Sequence, residues 1–238
     1  MKTIICTIAK NEDKYIKDFC EYHLNIGFDE IHIFDNGTDI PFSDSRIIVH
    51  PFRNVKTRCP QIKAYRECIQ NESYDWCAFI DVDEFITIKN NNIVNFLSTI
   101  DSSVDGLKLN ERVFGDNDEI VPTNIDIPVY ERITKISRKS SLRSYKYILR
   151  HNKNLLILSP HDIVIKETKQ QPNFVTDFNE CYIRHYKTKT LSEFCDQKLN
   201  TPTVFDQTKK RTIDYFFRVN EKTQEKIAYL KSRGIEVD

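Results

Sequence analysis

The sequence predicts an α/β fold, with a mostly parallel central sheet flanked by helices and antiparallel additions in the second half. Three observations predict it. Over the first hundred or so residues, short apolar runs alternate with helical patterns, as expected for a parallel sheet covered on both faces. Turn-forming residues such as Gly27 and Asp35-Asn36-Gly37 close those runs. The later part of the chain loses this alternation and carries strand-like segments in succession.

Residues 2–9 read as a buried strand rich in Ile and Thr. Residues 13–26 place Tyr15, Ile16, Phe19, Tyr22, His23 and Ile26 at helical spacing, and Gly27 ends that helix. Residues 30–34 and 46–52 are expected strands. Residues 60–69 are an expected helix with Pro60 in its first turn. A fourth strand falls at 76–80 and a short helix at 93–100. Further on, 106–114 reads as a strand, 115–119 as a polar loop, 130–137 and 155–165 as edge strands, and 190–199 and 220–232 as helices. No repeat or clear linker interrupts the 238 residues, so a single domain over 1–238 is expected.

Composition narrows the function classes. Thirty-five basic residues balance thirty-five acidic ones, so no nucleic-acid partner is expected. The apolar N-terminal run is too short for a signal peptide, and Lys10-Asn11-Glu12 follows it. No stretch reaches the roughly 20 apolar residues of a membrane span, and a cytoplasmic location is the expectation. Seven scattered cysteines without a Cys-x-x-Cys pair read as reduced, mostly buried thiols. The positions of the five glycines exclude Gly-x-Gly-x-x-Gly and the Walker phosphate loop, and Gly-x-Ser-x-Gly is missing.

The sharpest motif is Trp76-Cys77-Ala78-Phe79-Ile80-Asp81-Val82-Asp83-Glu84-Phe85, an apolar strand running into three carboxylates. In extended chain Asp81 and Asp83 would point to one side, roughly 6.6 Å apart. Acids at the carboxyl end of a central parallel strand lie where open α/β sheets bind ligands. A divalent cation held there would neutralise charge on a departing phosphate. The bland alternative is an acidic strand end that turns and caps the next helix.

Further segments extend the pattern: Lys10-Asn11-Glu12, Glu21-Tyr22-His23 with Gly27, and Phe34-Asp35-Asn36-Gly37-Thr38-Asp39. Gln61 and Trp76 through Phe85 follow in order. Then come Ile183-Arg184-His185-Tyr186-Lys187-Thr188-Lys189 and Ser192-Glu193-Phe194 with Lys198. Together these resemble family 2-like glycosyltransferases, in the branch related to family 92, over most of residues 1–200. The resemblance implies a GT-A fold, a nucleoside-diphosphate sugar donor, first among them a UDP-sugar, and Mn2+ or Mg2+ as cofactor. It divides the chain into a nucleotide-sugar-binding half (1–100), an acceptor and metal-completing part (101–200) and a helical tail (201–238).

The resemblance also implies roles. Thr7 and Asn11 would line the nucleotide pocket, Asp35 would bond base or ribose, and Gln61 would face the donor. Asp81 would meet the ribose or a metal-bound water, Asp83 would ligate the metal, and His185 would be a further ligand that favours Mn2+. Each has a structural rival. Thr7 can be a strand residue, Asn11 a helix cap, Asp35 a turn former, Gln61 a first-turn polar residue and His185 a packed ring. Arg58, Lys146 and Lys189 are weaker phosphate candidates, and His161 an acceptor-side one.

The implied reaction is transfer, with inversion, to a hydroxyl of a glycan or lipid-linked glycan. It needs a carboxylate base. Asp116 is the choice among Asp116, Asp118 and Glu119, with Glu111 and Glu84 as outsiders. Tyr215-Phe216-Phe217 reads as core packing, or else as a peripheral membrane contact. Two other readings stay open: a metal-dependent nucleotidyl or phosphoryl transferase, and a nucleotide-sugar-binding module without turnover. Oligomeric state is not legible.

Overall fold

Strand β1 (Thr3–Ala9) is buried at all seven positions, as befits a central parallel strand covered on both faces. In this computed structural model, which describes residues 1–53, 55–137, 145–176, 180–199, 201–202 and 208–237, β1 pairs in parallel with β2 (Glu30–Asp35). The latter pairs in parallel with β3 (Ile47–Pro51). Helix α1 (Ile16–Asn25) connects β1 to β2 and buries Ile16, Phe19, Cys20, His23 and Leu24. The chain leaves it through Gly27, whose φ of +99° suits glycine. Helix α2 (Pro60–Asn71) opens on Pro60, whose missing N–H costs nothing in a first turn. It leads to β4 (Trp76–Phe79), which flanks β1 in parallel on the side away from β2.

The remaining elements are β5 (Glu84–Ile88), a short 3-10 turn, α3 (Ile93–Ser98), β6 (Gly106–Val113), α4 (Val129–Arg132) and β7 (Tyr145–Arg150). After them come β8 (Leu155–Ser159), β9 (Asp162–Ile165), β10 (Phe174–Val175), β11 (Cys181–His185), α5 (Leu191–Gln197), α6 (Ile213–Phe217) and α7 (Gln224–Ser232). The main sheet runs β3-β2-β1-β4-β7-β6-β11-β5, with β10 beside β6. Strand β7 is antiparallel to both β4 and β6. The expected parallel first half with antiparallel additions is therefore present.

Three sequence expectations need correction. Residues 130–137 are not a strand: α4 takes the first part, and Ile136 makes only an isolated bridge to Phe114. Pro128 stands just before the helix as its cap residue, and Glu131-Arg132 favour helix over sheet. Residues 155–165 are a hairpin, β8 against β9, in a separate two-stranded sheet rather than at the main edge. Pro160 breaks the run, since it has no N–H to give to a ladder. Strands β5, β7 and β11 were not anticipated.

The chain divides into two compact units. The first is built chiefly from Met1–Glu111 and Arg143–Arg184, the second from Arg112–Leu142, His185–Thr203 and Gln207–Asp238. In the first, α2 and the β8–β9 hairpin cover one sheet face. Ile4, Cys6 and Ile8 of β1, Tyr65 and Cys68 of α2, Phe79 of β4 and Ile157 of β8 share a core there. In the second, Leu191, Phe194, Ile213, Phe216 and Leu230 form the core, so Phe216 is packed inside it. Helix α5 begins with a capping box in which Thr190 and Glu193 bond each other's backbone. Among the described residues, no helix is long and apolar enough to cross a membrane.

Candidate functional site

The acidic motif departs from the sheet earlier than its spacing suggests. Strand β4 stops at Phe79, and residues 81–84 form a turn closed by Glu84 N–H donating to Asp81 O at 3.0 Å. The Glu84 carboxylate accepts the Asp81 backbone N–H at 2.9 Å, bracing the turn from within. Asp81 and Asp83 are thus not on one face of an extended strand. Nor does the turn cap a helix, since Glu84 begins β5.

Partners from two other elements hold Asp81. Gln61 Nε2 donates to its Oδ1, and Tyr65 Oη lies 3.3 Å from the same oxygen. Gln61 and Tyr65 stand four residues apart on α2 and are joined by a 2.9 Å hydrogen bond. The other oxygen, Oδ2, is 3.0 Å from Lys146 Nζ, which also lies 3.2 Å from Glu84 Oε2. Lys146 and Glu84 are fully buried, whereas the Asp81 side chain is 32% exposed. Burial opposes the lysine's charge, but Asp81 and Glu84 outweigh it and hold its pKa well above the usual range. Asp83 is buried as well.

The loops after β1 and β2 are stitched together beside the same sheet edge. Asn11 adopts φ +57° and donates its N–H to Gly37 O at 3.1 Å, and Thr38 Oγ1 accepts the Glu12 N–H at 3.2 Å. Asn11 does not cap α1, whose cap residue is Tyr15. Asp35 Oδ1 accepts the N–H groups of Gly37 and Thr38, both at 2.9 Å, and Oδ2 accepts Arg53 Nε at 2.8 Å. Burial opposes its ionisation, but these donors outweigh it and lower its pKa. Thr7 lies inside β1, fully buried, and its Oγ1 has no hydrogen-bond partner among the described residues.

Two candidates belong to the second unit. His185 ends β11 and is buried. Asp116 lines a cavity of about 470 Å3 with Asn117, Asp118, Lys135, Ser137 and Asn220. Its Oδ2 is 2.5 Å from Lys226 Nζ, and its N–H donates to Asn220 Oδ1 at 2.8 Å. A Cβ on Gly115 would come within 2.9 Å of that same Asn220 oxygen, so a larger residue there would have to displace the Asn220 side chain. Burial raises the Asp116 pKa, and the opposing pull of Lys226 does not cancel it.

Sequence reasoning placed Lys146 only among weak phosphate candidates, and Tyr65 and Arg53 in no role. Tyr65 had one legible signal, its i+4 spacing from Gln61. Among the other weak candidates, His161 Nδ1 meets Tyr145 O at 2.7 Å and Lys189 Nζ donates to Gln197 Oε1 at 3.1 Å.

An acidic turn and two tethered loops lie at the carboxyl ends of the parallel strands of an α/β protein, the edge at which open α/β sheets bind ligands. Residues 4–227 match glycosyltransferase family 92, and the chain belongs to that family. Its sheet is the α/β arrangement expected from the sequence, parallel from β3 to β4 and antiparallel through β7. Over 95 residues it is 28% identical to a family 92 protein of Oryza sativa subsp. japonica, covering 37% of this chain and 16% of that one. Over 89 residues it is 32% identical to a family 92 protein of Ricinus communis, covering 34% and 16%. The chain thus spans only a minor part of the curated relatives it matches. Among solved structures, S. aureus TarS 1–349 superposes with a TM-score of 0.49 at 16% identity, covering 78% of this chain and 60% of that one.

Proposed function

We propose that the chain is a metal-dependent glycosyltransferase. It moves a sugar from a nucleoside-diphosphate sugar, first among them a UDP-sugar, to a hydroxyl of a glycan or lipid-linked glycan, with inversion. The observation that carries this reading is the acidic turn 81–84, set directly after central strand β4 in a chain of glycosyltransferase family 92.

The donor chemistry of the turn suits Mn2+ or Mg2+. Asp83 and Glu84 offer adjacent hard carboxylate oxygens, the ligand type these cations prefer. A cation bound there supplies neutralisation of the departing diphosphate. In this proposal Asp83 holds the metal, and His185 is a further ligand on the strength of the resemblance. Asp81 already has both oxygens engaged by Gln61 and Lys146, which favours its role toward the donor ribose over direct ligation. Thr7, Asn11, Asp35 and Gln61 belong to the nucleotide pocket. Asp116 is the base that takes the acceptor proton, and a carboxyl with a raised pKa is the stronger base for that task. A part in polysaccharide biosynthesis at the cytoplasmic face of a membrane belongs to the same proposal.

Incubation with Mn2+ and a panel of UDP-, GDP-, CMP- and dTDP-sugars tests the reading. Thermal stabilisation by one donor together with its slow hydrolysis supports it. Stabilisation without turnover would instead identify a binding module, and indifference to every donor would favour phosphoryl transfer. NMR of the glycoside product reads the anomeric configuration, and retention would end the single-displacement proposal.

A further inference from the structure

On the sheet face covered by α2, residues from three elements of the first unit converge away from the acidic turn. His32 belongs to β2, His50 to β3, and Glu72 directly follows α2. The parallel register sets His32 beside Ile48 and Phe34 beside His50. Because side chains alternate along a strand, both histidines point to one face, a diagonal step apart. His32 Nδ1 lies 3.0 Å from His50 Nε2 and 3.5 Å from Glu72 Oε2, and His50 Nε2 lies 3.8 Å from Glu72 Oε1. The Phe34 ring stacks on His50 at 4.6 Å and 13° and fixes its plane. On the far side of His32, Nε2 lies 3.1 Å from Glu30 Oε2, and Glu30 is held in turn by Lys2 Nζ at 2.8 Å.

We propose that His32 Nδ1, His50 Nε2 and one carboxylate oxygen of Glu72 bind Zn2+, with water in the fourth position. A tetrahedral zinc site has bonds of about 2.0–2.1 Å, hence ligand-to-ligand edges of about 3.3 Å. The separations of His32 Nδ1 from His50 Nε2 and from Glu72 Oε2, 3.0 and 3.5 Å, bracket that edge, and one ligand atom from each of the three residues lies within 4.8 Å of the others. Two imidazoles and one carboxylate are a zinc donor set with an open position, whereas Mg2+ and Ca2+ prefer oxygen alone. The fourth position has a route to solvent, since the His50 and Glu72 side chains are 25% and 24% exposed while His32 is buried.

The outer shell agrees with this assignment. Glu30 accepts the His32 Nε2 proton and so leaves the Nδ1 lone pair facing the site, the carboxylate–histidine–metal arrangement. His50 binds as the neutral ring, its proton moved to Nδ1. The cation ties together β2, β3 and the end of α2, segments that the sequence separates by up to forty residues. Without a metal, the same geometry is a histidine–histidine hydrogen bond with Glu72 beside it, and the experiment must separate the two.

The test uses the chain freed of any histidine tag and stripped with EDTA, in the parent and in Asp83→Ala, which removes the other proposed cation ligand. Asp83→Ala should bind one equivalent of Zn2+ and the parent at least one, and both should show a raised melting temperature with it and give visible absorption bands with Co2+ in its place. His50→Ala and Glu72→Gln, at partly exposed positions, should each weaken Zn2+ binding roughly tenfold or more, and Glu30→Gln about tenfold. Circular dichroism confirms that the variants are folded. Failure of the parent to bind Zn2+, affinity unchanged in His50→Ala and Glu72→Gln, or loss confined to Asp83→Ala would each overturn the site.

Discussion

Lys146 Nζ lies 3.0 Å from Asp81 Oδ2, so the first aspartate of the acidic motif is charge-compensated by the protein itself. The same ammonium reaches Glu84 at 3.2 Å. One buried lysine on β7 therefore locks the turn that follows β4 in place. The proposed nucleotide-sugar site needs that preorganisation, because neighbouring carboxylates repel one another until something holds them.

Lys146→Met should consequently act on stability as well as on ligand binding. It removes the ammonium that lies 3.2 Å from the fully buried Glu84 carboxylate, and breaking a buried pair from one side costs about 3 kcal/mol or more. Urea unfolding should show a lowered midpoint, and donor affinity should fall with it. A change below about 1 kcal/mol would mean that the pair does not organise the turn.

The two aspartates should separate by phenotype. Asp83→Ala should abolish Mn2+-dependent donor binding while leaving circular dichroism and the melting curve nearly unchanged. Asp81→Asn should weaken donor binding whether or not Mn2+ is present, because it removes the charge paired with Lys146 and sets an amide NH2 against Gln61 or Lys146, disturbing the turn together with its contact to the donor. Calorimetric titration of a UDP-sugar with and without Mn2+ reads both. If Asp83→Ala binds donor as tightly as the parent, the metal assignment is wrong.

Local signals made part of this site legible. Trp76 through Phe85 announced a buried strand ending in acids, and Gln61 announced itself beside Pro60 at a helix start. Lys146 could not be seen in its role. It lies 65 positions beyond Asp81, and one lysine between two tyrosines carries no local sign that it is buried. Strand β7, which brings it in, enters the sheet antiparallel between β4 and β6, a long-range pairing that periodicity does not encode. The turn at 81–84 was missed for a related reason, since the extended reading of Asp-x-Asp ignored what Glu84 does to the Asp81 backbone. The histidine pair was invisible because His32 and His50 meet only through the register of β2 with β3.

Asp116→Asn tests the proposed base. The substitution is nearly isosteric and keeps a side-chain oxygen for the Asp118 N–H, which Asp116 accepts at 3.0 Å. Loss of a general base should lower kcat by about 10^2- to 10^4-fold with KM for the donor little changed. Lys226→Met supplies the contrast. It leaves the carboxylate in place but unpaired, so it should lower stability more than turnover. A drop of only a few fold for Asp116→Asn would move the search to Asp118 or Glu119.

His23 sets a pH limit on the first unit. Its Nδ1–H donates to Phe19 O at 2.8 Å, and its Nε2 accepts the Ile86 N–H at 3.2 Å. Only the neutral ring satisfies both bonds, because a proton on Nε2 would face another donor. Phe85 stacks on the ring at 5.7 Å. Burial pushes its pKa down to about 3, with Arg184 adding to the shift and the Phe19 carbonyl opposing it. The unfolded chain takes up this proton near pH 6.5 and the folded chain refuses it until far lower. Stability from this group is therefore complete above about pH 6.5 and is lost as pH falls toward 3, at about 1.4 kcal/mol per pH unit. Between pH 7 and 5 the loss amounts to about 2 kcal/mol. Urea midpoints at those two values, compared between the parent and His23→Gln, isolate it. The variant should start less stable and lose less on acidification, whereas parallel pH profiles would show that His23 is not the group responsible.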